Sequence, residues 1–592
     1  MVGLPFDCLS NPLGAVRVTF DKAIASGIDP STLNGKDWGA VEAIRNSLYD
    51  QQSISQVPIL DHTSIGWIKP NTLVRFRGMV QDMLGNEFYV GAFKDGTTWR
   101  TNKFTDVASF PMGSQPETNI WERQLLYCVP VPGQNSWTVQ PSSASEFGRC
   151  DNWTSQHGEK RLRENDVADF MVHQEVQGST SSSKKMREGP FDGQPSPLPE
   201  QINETSAKVS MLPDFDSKCL PCLVKIYDTP EADLKLNDVI EFVGVFTFNP
   251  ELNVQADDSA DIADELFEDA LAHLPPNKVP RLHCFIHRKL KNEDFLLGSP
   301  IVEKTPNLVR GIRESLLSHL TTILGNDDLA AECLLLHLLS RVHARVDSTA
   351  VGKLSLNLSG FTRENLTIFG TQLTNTIETL LPFTKSMPLS VDHLNTAALA
   401  PKKDYEMNKL ISGALQLAEG THLTIDETQL QAGMLDSTGV ENTKLLNNLM
   451  LSQKVEYDFK FYKMEMPTDV QLLVLSEGKS NILPADLVLP FQPSCSLGGV
   501  GLSSTETLQS WRWYLATFRS LQHDIQPDMQ KVMEDDLVAA RQQDRSLGTN
   551  DFSRWLTIAR LMSASFGETC LKLEYWQMAK ELERRRKERL NK

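Results

Sequence analysis

The stretch GALQLAEGTHLTIDET, Gly413 to Thr428, combines a glycine stop signal with an apolar run that closes on two adjacent carboxylates. Its first half predicts a helix that ends at Gly420, and its second half predicts a strand that ends at Asp426 and Glu427. In nucleotide-hydrolysing folds, such carboxylates hold Mg²⁺ and orient the attacking water. The stretch therefore raises the hypothesis of an α/β ATPase domain.

Helical and strand patterns alternate around this stretch, which is typical of an α/β domain. IRESLLSHLTTIL has apolar residues at helical spacing and stops at Gly325. Asn326 or Asp327 is predicted to cap the next helix, DLAAECLLLHLLSRVHAR. Strands are predicted at KLSLNLSG, HLTIDE and VQLLVLSEG. We predict this domain over residues 308–500 and a C-terminal helical lid with a basic tail over residues 508–592.

The phosphate-binding loop that such an ATPase needs is missing from the sequence. After the strand KLSLNLSG the chain reads FTRENLTIFG, so Gly360 remains but no Gly-Lys-Ser/Thr follows it. Gly478-Lys479-Ser480 lacks the required upstream glycine, and Pro484 follows where a phosphate-binding helix would continue. We predict no catalytic site and no cofactor, with Asp426 and Glu427 ending a strand and pairing at a surface.

A smaller β domain is predicted on the N-terminal side, split by a linker. Residues 1–70 have the pattern of short helices, and residues 71–141 and 219–300 hold alternating strand patterns. In the first strand Val74, Phe76, Gly78 and Val80 share one face, and a turn is predicted at residues 84–86. Residues 142–218 are rich in Ser, Gly, Gln and Pro, which predicts a disordered linker. The strands fit a split OB-like barrel of five strands.

Such barrels often bind single-stranded nucleic acid, and Arg75 and Arg77 share one face of the predicted first strand. The chain carries a net charge of −18, which opposes broad binding to phosphate backbones or to anionic membranes. Any nucleic-acid contact is therefore predicted to be local and to use these two arginines, and a purely structural barrel is the favoured reading.

Other features place the chain inside the cell. Nine cysteines without disulfide-like spacing predict reduced thiols, and Cys219-Leu-Pro-Cys222 lacks a second ligand pair, so no metal is predicted. No apolar run approaches a membrane span. Three basic runs are candidate nuclear import signals. They contain Lys160, Arg161 and Arg163; Lys184 and Lys185; and Arg584, Arg585, Arg586 and Lys587.

The order of elements resembles the ATPase core of minichromosome maintenance (MCM) helicase subunits, whose Asp-Glu strand looks like GALQLAEGTHLTIDET. LLSHLTTILGNDDLAAECLLLHLL looks like the helices before the phosphate loop, and SRWLTIARLMSA like the helical lid. The catalytic positions depart from that pattern. The phosphate loop reads SGFTREN, and Ser553 stands where the lid's sensor arginine is expected, with Arg554 beside it.

An ATPase scaffold without its chemistry, behind a split barrel, resembles the MCM-binding protein family. The resemblance extends to LSNPLG, VRFRGMVQDM, LYCVPVPG and KDYEMNKLISGALQL. It implies a degenerate MCM/AAA+-like domain in a nuclear, non-catalytic partner of MCM helicase subunits, with indirect chromatin association. It also implies a role in assembly or unloading of the MCM complex and in sister-chromatid cohesion, and no small-molecule substrate. A weak ATPase and an OB-fold single-stranded DNA-binding factor are the alternatives.

Deletion of residues 154–208 tests the predicted linker. Because this segment has too few apolar residues to contribute a core, we expect the thermal midpoints of the folded parts to change by less than about 2 °C. Differential scanning calorimetry of the full chain and the deletion variant measures this change. A large loss of stability would show that the segment is part of a folded core.

Overall fold

A computed structural model describes residues 8–33, 35–49, 53–106, 117–139, 220–228, 233–248, 274, 278–296, 304–494 and 503–591. All of these residues belong to one compact unit. The predicted linker, residues 142–218, lies outside the described residues. The described part of the chain has mixed α and β content, as the sequence predicts.

The N-terminal half begins with helices and continues with strands. The helices are α1 (Pro12–Ala25), α2 (Pro30–Leu33) and α3 (Ala40–Tyr49). The strands are β1 (Leu73–Asp95), β2 (Thr98–Thr101), β3 (Thr118–Val129), β4 (Cys222–Ile226), β5 (Val239–Thr247) and β6 (Arg281–Lys289).

Five of these strands close into a ring. The sheet order is β2-β1-β3-β4-β6-β5, and β1 also pairs with β5, so only β2 lies outside the closed circuit. The contact between β4 and β6 is parallel, whereas the others are antiparallel. Val74, Phe76 and Val80 point into the core of the ring, so the face that they are predicted to share is the inner face of β1. We call this ring the barrel.

The turn predicted at residues 84–86 is wrong, because β1 runs without interruption through that segment. Gly85 has a φ of +89°, and the pairing with β3 shifts register between Met83 and Gly85. A glycine in this conformation accommodates a bulge as readily as a turn. The strand therefore bends at Gly85 and continues to Asp95.

The C-terminal half alternates helices with strands. Its helices are α4 (Pro306–Ile323), α5 (Asp328–Leu339), α6 (Arg363–Asn365), α7 (Thr371–Leu380), α8 (Val391–Thr396), α9 (Ser437–Ser452), α10 (Thr505–Arg519), α11 (Pro527–Gln543), α12 (Thr549–Ser565) and α13 (Leu573–Leu590). A π-helical turn, Leu366–Gly370, joins α6 to α7.

The strands of this half form three sheets. A parallel sheet has the order β10-β13-β16-β9-β17, from β9 (Leu356–Ser359), β10 (Thr384–Pro388), β13 (His422–Asp426), β16 (Gln471–Ser476) and β17 (Leu487–Pro490). A second sheet, β12-β11-β14-β15, contains β11 (Lys402–Asp404), β12 (Lys409–Ile411), β14 (Lys454–Asp458) and β15 (Lys463–Pro467). A hairpin is formed by β7 (Ala344–Val346) and β8 (Thr349–Val351).

The helix predicted to end at Gly420 is absent, because residues 413–420 are irregular. The backbone N–H groups of Ala414 and Leu415 donate to the carbonyls of Ala398 and Leu399 at 2.9 and 3.1 Å. The segment therefore pairs with a neighbouring stretch of chain and cannot form internal helical bonds there. The strand that follows it, β13, is confirmed.

The helix predicted from Asp328 to Arg345 is too long. α5 ends at Leu339, and the last predicted residues enter the hairpin of β7 and β8. The start of this helix is as predicted, since Asp327 caps it through a bond from the Ala330 N–H at 3.1 Å. Almost every residue of α5 is buried, which is typical of a helix that is packed on all sides.

The barrel and the C-terminal half are joined by hydrogen bonds to backbone groups. The Leu410 N–H donates to the Asp82 carboxylate at 2.6 Å, and the Gln416 side chain donates to the Gln81 carbonyl at 2.9 Å. The Asn135 amide donates to the Leu381 carbonyl at 2.8 Å.

Within the described ranges, no helix is both long and apolar enough to traverse a bilayer.

Substitution Leu336→Asp tests the packing of α5. Leu336 is completely buried, so an unpaired carboxylate there should lower the free energy of unfolding by at least about 4 kcal/mol. The control is Leu308→Asp, at an exposed position in the first turn of α4, which should change it by less than about 0.5 kcal/mol. Urea denaturation of both variants measures the difference. Equal effects would contradict the assigned burial of α5.

Candidate functional site

The carboxyl ends of three parallel strands meet at the place where an α/β fold of this kind would bind a ligand. Asp426 at the end of β13 lies opposite Leu475 of β16, and Ser476 lies opposite Ser359 at the end of β9. Gly360 and Phe361 follow β9 directly. The structure therefore brings the predicted degenerate loop and the predicted Asp-Glu pair to one edge of the sheet.

The loop after β9 uses its backbone donors within the protein. The N–H of Gly360 donates to the Glu477 carbonyl at 2.9 Å, and the N–H of Phe361 donates to the Ser476 carbonyl at 3.0 Å. Gly360 has a φ of +94°, a conformation that favours glycine. A phosphate cradle needs N–H groups that point at the ligand, and these two are already bonded.

Three aromatic rings fill the space beside this loop, and we call them the aromatic plug: Phe361, Phe369 and Phe491. The rings of Phe361 and Phe491 stack with centroids 4.7 Å apart, and Phe369 meets Phe491 edge-on at 5.3 Å. Phe361 is completely buried, and the other two rings are nearly so. The plug therefore presents packed apolar surface beside the loop.

The start of the helix after the loop is also satisfied internally. The Thr362 hydroxyl accepts a hydrogen bond from the Asn365 N–H at 3.2 Å, which caps the short helix α6. Lys353, the lysine nearest in sequence, donates to both oxygens of Asp486 at 2.8 Å. Neither the helix N-terminus nor this lysine is arranged to hold a phosphate group.

Asp426 ends β13 as predicted and Glu427 follows it directly, but neither carboxylate forms the predicted pairing with a cationic side chain among the described residues. Asp426 accepts bonds from the N–H and hydroxyl of Thr428 at 3.0 and 2.7 Å, which forms a local turn. Burial raises the pKa of the Glu427 carboxyl, and a hydrogen bond with Ser480 opposes that rise. Ser480 is buried in the loop after β16, and Gly478 and Lys479 beside it are exposed.

The sensor position of the predicted lid lies on helix α12. Ser553 is exposed there, whereas Arg554 is held by two carboxylates. Its guanidinium donates to Glu583 at 2.8 Å and to Asp551 at 2.6 Å. Arg586 binds the same Glu583 at 2.6 Å, so one buried carboxylate holds two arginines. The sequence analysis did not identify Glu583, because its partner Arg554 lies on another helix.

The candidate import signals fall in two different environments. Arg584–Lys587 lie on helix α13, where Arg586 is buried while Arg584 and Arg585 are exposed. Arg586 also donates to the Val488 carbonyl at 3.1 Å, so this part of the run holds the fold together. Lys160, Arg161, Arg163, Lys184 and Lys185 lie outside the described residues.

The two arginines predicted to touch nucleic acid lie next to a carboxylate on the barrel. Arg75 is buried and donates to the Val57 carbonyl at 3.0 Å. Arg77 donates to Glu241 of β5 at 2.7 Å, and Arg75 lies 3.9 Å from the same carboxylate. One carboxylate therefore compensates part of the charge of these two arginines, and Arg75 is in addition buried.

No single sequence motif predicted the aromatic plug. The two phenylalanines in FTRENLTIFG and the one in LPFQP were the available signal for the plug, but only the fold brings Phe361 and Phe491 together.

In the part of the chain that the structure describes, no three His, Cys, Asp or Glu side chains form a group able to hold a metal ion.

Substitution Glu583→Gln tests the two-arginine network. Removing the buried carboxylate leaves Arg554 and Arg586 without their shared partner, so the free energy of unfolding should fall by about 3–5 kcal/mol at neutral pH. Glu581→Gln is the matched control, because Glu581 is exposed on the same helix, and should cost less than about 1 kcal/mol. Chemical denaturation measures both values.

The pH dependence of this effect has a definite sign. Burial alone would raise the pKa of Glu583, but the hydrogen bonds and charges of Arg586 and Arg554 outweigh it and lower that pKa below 4.5. The unfolded chain then binds the proton more readily, so the stabilisation is present above the ordinary pKa and is lost as the pH falls through the lowered one. A difference between wild type and Glu583→Gln that shrinks on raising the pH would contradict this assignment.

Comparison with known proteins covers nearly the whole chain. The family model described as "Mini-chromosome maintenance replisome factor" matches residues 44–590. An Arabidopsis thaliana relative named "Mini-chromosome maintenance complex-binding protein" is 55% identical and covers 100% of both chains. Relatives of the same name from Salmo salar and Homo sapiens are 35% and 32% identical, over 98% and 99% of this chain and 97% and 98% of their own. The chain therefore belongs to the mini-chromosome maintenance complex-binding protein family.

Proposed function

We propose that this protein is a non-catalytic partner of MCM helicase subunits that resembles a subunit in shape and does not hydrolyse nucleotide. The observation that carries the proposal is the filled loop after β9. Its N–H groups are bonded to Ser476 and Glu477, and the aromatic plug occupies the space beside them. Names of the relatives, which are complex-binding proteins, support binding as the role that remains.

The strand order supports a degenerate MCM/AAA+-like domain behind an OB-like barrel. In the parallel sheet, the first strand, β9, lies between β16 and the edge strand β17, so the degenerate loop follows an interior strand. In the barrel, the strands close in the order first, second, third, fifth, fourth, and the third and fifth are parallel. A closed five-stranded barrel of this kind fits the OB type.

A subunit-like shape explains how binding is separated from turnover. Ring ATPases associate head to tail, so the two faces of one subunit differ, and each nucleotide site needs groups that complete it. A chain that keeps the outer surfaces but fills its own site can occupy a neighbour's binding face without driving a cycle. We propose that it acts in this way on MCM complexes that lack one regular subunit.

The cellular role follows from that binding and belongs to the same proposal. Holding an incomplete ring favours either assembly or unloading of the MCM complex during DNA replication, and the implied role in sister-chromatid cohesion depends on the same contact. The protein would then act in the nucleus and reach chromatin indirectly, through its MCM partners. The exposed Arg584 and Arg585 remain candidates for an import signal.

Substitution of both Asp426→Asn and Glu427→Gln tests whether the site is chemically alive. Both changes preserve side-chain volume, so the fold should lose only about 1 kcal/mol, and binding to purified MCM subunits should change by less than about twofold. Pull-down and thermal melting measure these outcomes, with Leu336→Asp as the misfolded control. Fluorescent ATP with Mg²⁺ should show no saturable binding to the wild type.

Two results would contradict the proposal in different ways. Micromolar nucleotide binding by the wild type, with hydrolysis that the double variant abolishes, would mean that the site works as an ATPase site. Failure of the folded wild type to bind any MCM subunit would remove the proposed partner but leave the filled loop as described.

A further inference from the structure

Four basic side chains from three segments meet at the end of the parallel sheet opposite the filled loop. We call them the basic cluster: Arg341, His343, His523 and Arg560. Arg341 and His343 follow helix α5, before the chain enters β9 from its amino end. His523 lies in the loop between α10 and α11, and Arg560 lies on α12. The cluster is therefore distinct from the filled loop at the carboxyl ends of the strands.

Gly352, which follows β8, makes the close approach of two of these side chains possible. The Arg560 guanidinium donates to the Gly352 carbonyl at 3.2 Å. A Cβ atom at Gly352 would lie 2.7 Å from the His343 Cβ and 3.2 Å from Arg560 Nη2. Gly352 also has a φ of +94°, so a side chain there would be strained as well as crowded.

The loop that carries His523 is fixed against the end of α12. The Asp524 N–H donates to the Thr569 carbonyl at 2.9 Å, and the Leu571 N–H donates to the Asp524 carbonyl at 3.3 Å. The Ser563 hydroxyl, one turn after Arg560, donates to the Cys570 carbonyl at 3.0 Å. These contacts hold His523 on the side of α12 that carries Arg560.

Several polar atoms of the cluster have no partner among the described residues. His523 is only 5% exposed, yet neither of its ring nitrogens forms a hydrogen bond there. The Nε of Arg341 is buried and is also unbonded in the described part of the chain. Buried polar groups are nearly always hydrogen-bonded, so unbonded atoms on converging basic side chains favour a ligand that supplies acceptors.

The positive charge of the cluster is not compensated by nearby carboxylates. No described carboxylate forms an ion pair with these four side chains, and Asp469 pairs with Arg519 instead. Asp524 is the acidic residue whose charge acts on the His523 imidazole, and its side chain is exposed. Burial, together with the charge of Arg341, lowers the pKa of Arg560 to about 10, and burial with the charge of Arg560 lowers that of His523 to about 4.

We propose that the basic cluster is a binding site for a tetrahedral oxyanion of the phosphate class. Two guanidinium groups offer planar sets of donors that match such an anion, and the buried imidazole adds a donor from another direction. The anion would satisfy Arg341 Nε and His523 and would balance the unpaired charge. It can come from free phosphate or from the phosphoryl group of a modified side chain.

Sulfate is the first probe, because its charge stays constant across the pH range. Isothermal titration calorimetry at constant ionic strength should show saturable sulfate binding to the full chain. Arg560→Gln should weaken it by at least about tenfold, whereas Arg310→Gln, at an exposed position on α4, should leave it unchanged. Absence of saturable binding, or equal loss in both variants, would overturn the proposal.

The histidines give the site a second readout that does not depend on Arg560→Gln folding normally. The positive charges of Arg341 and Arg560 disfavour protonation of His343 and His523. A bound anion offsets those charges and favours the protonated imidazoles. The carboxylate of Asp524 favours the protonated imidazoles whether or not the anion is bound. Sulfate binding should therefore tighten as the pH falls from about 7.5 to about 5.5. His523→Gln should bind sulfate with a weaker pH dependence. Binding that is independent of pH in the wild type would contradict the assigned role of the histidines.

The source of the anion is distinguished by comparing inorganic phosphate with a phosphoserine dipeptide. Tighter binding of the dipeptide would assign the site to a modified side chain, and tighter binding of inorganic phosphate would assign it to the free ion. Binding of neither, in a wild-type protein that melts cooperatively, would overturn the phosphate-class assignment.

Discussion

The buried carboxylate of Asp327 joins three segments on which the C-terminal half depends. It caps helix α5 through the Ala330 N–H, accepts a bond from the Gln492 N–H at 3.0 Å, and binds Arg589 through both oxygens at 2.8 and 2.7 Å. A buried carboxylate is tolerated only with such partners, so these segments are constrained together. Gln492 follows Phe491 directly. The Asp327 carboxylate that caps α5 therefore also positions one ring of the aromatic plug.

Arginines of helices α12 and α13 serve internal structure in the same way. Arg554 and Arg586 share Glu583, and Arg589 binds Asp327, so three cations on these helices have carboxylate partners. In an active ATPase, comparable groups would have to remain available for phosphate. The basic cluster differs, since Arg341 and Arg560 have no carboxylate partner within the described ranges. Charge pairing therefore distinguishes the arginines that hold these helices together from those of the basic cluster.

Sequence periodicity predicted the helices and strands whose buried residues recur at helical or strand spacing. Helix α4, the start of α5, the shared face of Val74, Phe76 and Val80 on β1, and the Asp-Glu strand are all present. The errors fall where distant contacts decide the conformation. Residues 413–420 pair with Ala398 and Leu399 and do not form a helix, and Gly85 bulges within a strand. The plug was beyond prediction from local pattern, because Phe361 and Phe491 are 130 residues apart in sequence and meet only through neighbouring strands.

The contacts between the barrel and the C-terminal half bear on how a subunit-like partner would work. They include directional bonds to backbone groups, from Leu410 to Asp82 and from Gln416 to Gln81, and both carboxylate and amide are buried. Such bonds fix one relative register, because sliding would leave buried polar groups unpaired. A ring neighbour that contacts the barrel would therefore meet the C-terminal half in a set orientation. That rigidity suits a protein whose proposed task is to present a surface, since no nucleotide cycle is needed to change it.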